Sequence, residues 1–210
     1  MAGTARLYTP SEAAAVSGLR LKAVNNLIDK QIVDVIRPDR TGLVGRRYLT
    51  KQHLLCMRLE HFLAGSLPVE RRQRLFQEVA ADPDARTIQA NSVLHVDLVE
   101  ARREIEARVR GLEEAEALVH SDPGILGGEP VFRGTRIPVY AIAAMVEAGA
   151  DRESLLDGYG ALDARKLDLA LLWTAAHPRR GRPKRLIDRG VPPTSTKRVT
   201  LGSDSLDETA

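Results

Sequence analysis

A chain of 210 residues with 43% hydrophobic, 28% charged and 4% aromatic residues has the composition of a soluble globular protein, with room for one large domain or two small ones. Its single cysteine, Cys56, excludes an internal disulfide scaffold, and no apolar run approaches the roughly 20 residues of a membrane span, so a cytoplasmic setting without a membrane partner is expected. The net charge of +3 is small, but the cations gather at the two ends of the chain while its middle is near neutral or acidic.

In chain order, Thr9, Pro10, Glu12 and Gly18 predict a short first helix: an N-cap, a proline at the first helical position, a capping-box acid and a glycine stop. A second helix is predicted over residues 20–31, with Leu21, Val24, Leu27 and Ile28 as its apolar stripe. Its other faces carry the donors Arg20, Lys22, Asn25, Asn26 and Lys30. Alternation over residues 33–49, broken by a glycine-containing turn, predicts a hairpin bearing Arg37, Arg40, Arg46 and Arg47. Thr50 then caps a helix to Leu63. Two short helices, a tight turn and a basic hairpin make a winged helix-turn-helix, in which the second helix enters the DNA major groove and the wing follows the backbone.

The opening Tyr8-Thr9, the alanine-rich first helix, Gly18 and the Arg46-Arg47-Tyr48 run before a capped helix resemble the MerR-type DNA-binding domain. The second helix departs from that pattern in carrying Asn25-Asn26 where aromatic and arginine residues are usual.

A further helix is predicted over residues 68–81, a short strand over residues 92–96, and a long helix over residues 97–119. That long helix places Leu98, Ile105, Leu112 and Val119 seven residues apart, a spacing equally compatible with packing on its own domain and with a dimer seam. Glu113, Glu114 and Glu116 read as its solvated face.

From residue 120 the text becomes dense in turn residues, and three helices follow, over residues 139–148, 151–158 and 162–177, the layout of a homeodomain-like module. Asp122, Pro123, Gly127, Gly128 and Pro130, then the run Gly134-Thr135-Arg136-Ile137-Pro138-Val139, closely resemble the signature of the domain of unknown function 433 family. That resemblance implies an antitoxin of the VapB kind, a protein that blocks a PIN-fold ribonuclease toxin and represses its own operon. Beyond Pro178, prolines, glycines and cations predict an extended arm. Arg179, Arg180, Arg182, Lys184 and Arg185 could track nucleic-acid phosphates; under the resemblance they, with Leu186 and Ile187, become the toxin-binding segment, an arginine competing with the toxin's metal for its carboxylates.

No reaction class emerges. Gly124-Ile125-Leu126-Gly127-Gly128 lacks the Lys-Ser/Thr of a phosphate loop, and the histidines His53, His61, His95, His120 and His177 are scattered, so no cofactor or metal is expected. His53 and His61 are expected at the surface, Cys56 and Trp173 in the core, and Asp122, Glu129, Arg133 and Arg136 in a structural network. The expected protein is mainly α: a winged helix-turn-helix with a small β-hairpin wing over residues 1–63, a helical linker over 64–119, a homeodomain-like three-helix module over 120–178 and an extended basic tail over 179–210. Operator DNA, the toxin and a second copy of the chain are its expected partners. Two readings stand beside the antitoxin: a MerR-like regulator without a toxin, and a protein-interaction scaffold.

Overall fold

Capping residues mark out the elements. In a computed structural model that describes residues 6–36 and 47–179, α1 (Pro10–Ser17) opens on a full capping box. The Glu12 N–H donates to Thr9 Oγ1 (3.3 Å) and the Thr9 N–H to Glu12 Oε2 (2.6 Å). Gly18 closes it at φ 78°, a left-handed backbone that a Cβ disfavours, with its N–H on the Ala14 carbonyl. The turn leads into α2 (Leu21–Asp29), which buries Val24, Leu27 and Ile28. Beyond it Ile36 and Tyr48 exchange both backbone hydrogen bonds (2.8 and 2.9 Å), closing the base of the expected hairpin. Its turn lies outside the described residues, and with it Arg37, Arg40 and Arg46.

Thr50 caps α3 (Lys51–Leu63), with a histidine where a capping box usually has an acid: the His53 N–H donates to Thr50 Oγ1 (3.4 Å) and the Thr50 N–H to His53 Nδ1 (3.1 Å). His53 is therefore half-buried rather than a surface residue. After α4 (Val69–Ala81), β1 (Thr87–Gln89) and β2 (His95–Asp97) pair antiparallel with Ile88 opposite Val96. The single strand read from the sequence is thus a hairpin; its other arm has one apolar residue among polar ones and leaves no periodic signal.

Asp97 caps α5 (Leu98–Leu118), its Oδ1 accepting from the Val99 N–H at 2.8 Å. Leu98, Ile105 and Leu112 are 0%, 1% and 0% exposed, so the seven-residue stripe is spent on this chain's own core. β3 (Val119–His120) and β4 (Val131–Phe132) form a second small antiparallel sheet, and α6 (Val139–Glu147), α7 (Arg152–Gly158) and α8 (Ala164–Ala176) follow. Asp151 and Asp163 cap the last two, accepting from the Ser154 and Lys166 N–H groups at 2.9 and 2.8 Å.

The chain is mainly helical, and its described residues up to Pro178 form one compact unit. Two apolar clusters hold this unit. One continues from Tyr8 through α1–α5 to Leu112, so no separate core begins at residue 64, and it takes in Ala176 from α8. The other joins Ala115 and Val119 to Phe132, Ile142, Leu167 and Trp173. Helix α8 packs against α1, α5 and α6. Gly111 makes the α5 contact possible: a Cβ there would lie 3.3 Å from Leu172 Cδ2. Among the described residues no helix is long and apolar enough to cross a membrane.

Candidate nucleic-acid interface

The buried stripe of α2 fixes what its other side presents. With Val24, Leu27 and Ile28 turned inward, Lys22, Asn26 and Lys30 recur at four-residue spacing and are exposed. Arg20 stands at the N-cap with extended backbone, also exposed. No ion pair engages Arg20, Lys22 or Lys30 among the described residues, so their charge is uncompensated locally.

Asn25 and Arg47 behave differently. The Arg47 guanidinium donates to Asn25 Oδ1 (3.0 Å) and to Asp29 Oδ1 (2.6 Å), tying the strand after the hairpin turn to the flank of α2. Tyr8 and Leu49 extend the tie by exchanging backbone hydrogen bonds of 2.8 and 2.9 Å at the root of α1. Sequence reading placed Asn25 and Arg47 among the DNA donors; their geometry is that of a brace holding α2 against the base of the hairpin. Spacing alone carried no sign of the third member, Asp29.

Three cations of the second helical module are ion-paired, while Arg136 is exposed with no ion pair among the described residues. Arg152 bonds Asp168, Arg165 bonds Glu114, and Lys166 lies 3.7 Å from Asp163. Arg133 donates to the Ala117 carbonyl (2.9 Å), and Asp122 Oδ1 accepts from the Gly124 N–H (2.8 Å), so each of these side chains is held by a backbone group. The acidic face of α5 is not simply solvated. Arg6 grips Glu116 with two hydrogen bonds (2.9 and 2.6 Å) and reaches Glu12 at 3.2 Å, while Glu113 lies 3.9 Å away. The Glu116 contact is the main reason the Arg6 pKa rises. Glu12, Glu116 and His177 bring ligand atoms within 4.8 Å of one another, a spacing open to a metal ion, but the Arg6 guanidinium already supplies the positive charge to both carboxylates.

Two features lie behind α2. A cavity of about 290 Å3 separates it from α3 and α4. At its floor Glu60 and Arg72, each 7% exposed, pair at 3.2 Å, and Arg72 Nη1 donates to the Ala64 carbonyl (3.0 Å). Burial raises the Glu60 pKa and Arg72 opposes the rise. Cys56 is buried in α3, its thiol pushed up to about 12 by desolvation, which keeps it in the unreactive protonated form at neutral pH. Of the proposed toxin-binding residues only Arg179 is described, and it is exposed; Arg180, Arg182, Lys184, Arg185, Leu186 and Ile187 lie outside the described residues.

Comparison with known proteins adds three findings. The family described as "Protein of unknown function (DUF433)" matches residues 119–173, the β3–β4 corner and the helices after it. The crystal structure of Rv2018 from Mycobacterium tuberculosis aligns over 78% of this chain and 96% of its own, at 18% identity and a TM-score of 0.32, a likeness too slight to bear on fold. A protein of Sinorhizobium fredii, "Uncharacterized protein y4eO", is 34% identical over 196 residues, 87% of this chain and 86% of its own length. With 34% identity over an alignment covering 87% of this chain and 86% of the other, the chain belongs to the same family as the Sinorhizobium fredii protein.

Proposed function

We propose that the protein is a DNA-binding antitoxin, in which residues 6–63 act as a winged helix-turn-helix on operator DNA and the basic arm after Pro178 neutralises a PIN-fold ribonuclease. The observation that carries the DNA half is the uncompensated row Lys22, Asn26 and Lys30, with Arg20, on the open side of a helix whose opposite side is buried. Lysines would meet phosphates, and an asparagine amide can bond adenine N6 and N7. Arg47 and Asn25 serve this reading as the brace that fixes the angle of α2, and Arg37, Arg40 and Arg46 as the wing's phosphate contacts.

The antitoxin half rests on the DUF433 match at residues 119–173 and on the cationic composition of the tail. With Arg152, Arg165 and Lys166 held in ion pairs, this module presents fewer cations without ion pairs than α2 and its N-cap do, which favours giving it to protein contacts rather than to DNA. A homodimer working in the cytoplasm completes the reading, because two half-sites multiply the affinity of a single small module.

The test has two arms. In the first, the full chain and a Lys22→Ala/Lys30→Ala variant are titrated with DNA from upstream of the coding sequence at several salt concentrations. The variant is expected to bind at least about tenfold more weakly, with a log–log salt slope shallower by about two. An unchanged slope removes α2 from the interface. In the second, the neighbouring gene product is co-expressed with the full chain or with a chain ending at residue 178. Retention and RNase inhibition by the full chain alone support the arm's role; a neighbour that neither binds nor cuts RNA leaves the protein a regulator without a toxin.

A further inference from the structure

The cavity behind α2 has a built interior. Leu19, Ala23 and Leu27 form one wall, Ile32, Ala64 and Val69 the other, and the Glu60–Arg72 pair closes the floor. Those two charges cancel, and the remaining donors of Arg72 include one held by the Ala64 carbonyl, so the floor presents no net charge to an occupant. The mouth is different. Asn26 and Lys30 stand there, and Lys30 is exposed and free of ion pairs among the described residues.

A mostly apolar cavity open at a mouth that carries Lys30, an ammonium with no ion pair among the described residues, is complementary to one chemical class. We propose that this cavity binds a small apolar monocarboxylate, its ring or chain inside and its carboxylate on Lys30 Nζ, and that binding competes with DNA for Lys30 and Asn26. A cationic ligand would meet Lys30 with like charge, and a neutral one would leave the mouth's charge unanswered. Size sets the body of the ligand. An engineered cavity of about 150 Å3 accepts benzene, so 290 Å3 accommodates a fused bicycle or a phenylalkyl chain. The occupant would pack on Ala23 and Leu27 of α2 itself, which places it between the helix and the body that supports it. Competition rests on the DNA reading given above; binding of the carboxylate does not.

The experiment is calorimetric titration of the full chain with naphthylacetate and phenylbutyrate, against acetate and naphthylacetamide. The two apolar acids are expected to bind, acetate not measurably, and the amide at least about tenfold more weakly than its acid, since it loses a charge-assisted contact. Ala23→Leu fills the cavity without touching Lys30 and is expected to abolish binding while its thermal melting point stays at or above that of the unaltered chain. Equal binding of acid and amide, equal binding by Ala23→Leu, or no binding of either apolar acid overturns the site. Repeating the DNA titration with saturating naphthylacetate separates the two claims: weakened DNA binding supports the competition, and undiminished DNA binding overturns it. A chain that binds the acid and no DNA at all overturns the function assigned to α2 and leaves the cavity's ligand standing.

Discussion

His53 lies on a helix whose start the sequence announces, yet it is half-buried where the sequence led one to expect a surface residue. Thr50 announces the start of α3 in the sequence, as Thr9 does for α1, because a cap is satisfied within three residues of itself. What the third residue contributes depends on what covers it, and the packing around α3 half-buries His53 and lowers its pKa, an effect that Asp34 only partly opposes. An unfolded histidine takes a proton near 6.5, so below that pH the unfolded chain binds more protons and stability falls as pH drops; above it the group contributes no slope. Protonation at Nδ1 also destroys the acceptor for the Thr50 N–H. The urea midpoint is expected to decrease on going from neutral pH to about 5.5. His53→Gln, which keeps a capping-box side chain, should show a smaller decrease; identical slopes would assign the effect to other groups. Glu113, Glu114 and Glu116 were legible as a charged face but not as partners, since Arg6 and Arg165 reach them from positions far away in sequence.

Among the elements, α5 carries most of the tertiary information. Its seven-residue stripe was visible from Leu98 to Val119, while the surface that stripe meets was not, because periodicity reports that a face is buried and is silent about its partner. Gly111 marks one of the surfaces that α5 meets: with no Cβ it lets Leu172 of α8 approach. Gly111→Leu is expected to cost about 1–3 kcal/mol through overpacking. Gly111→Ala should change stability little, because the displaced atom is the end of a half-buried side chain and alanine favours the helix by about 1 kcal/mol. Denaturant titration of both variants checks the pair. A Leu variant as stable as the parent would mean that α8 does not dock on this face.

At the level of the molecule, helices and caps followed from the text, and the mainly α class with them. The docking of α8 on α1 did not, because no local pattern links residues so far apart. A chain ending at residue 118 keeps α1 to α5 yet loses the helix that covers α1 and Gly111, and with it Ala176 from the first core. Such a fragment is expected to lose several kcal/mol, a large share of ordinary domain stability, and to melt without a cooperative transition in circular dichroism. A sharp melt close to that of the full chain would show that the N-terminal cluster stands alone.

The same α1–α8 contact bears on biosynthesis. Helix α1 is synthesised before α8 and must wait for it before the α8-facing part of its surface is covered, and the intervening polypeptide has to close as a very long loop. High contact order of this kind slows folding and leaves part of α1 exposed to proteases and chaperones until α8 has been made. Messages truncated before α8 would therefore yield products whose N-terminal helices are made but not fully assembled.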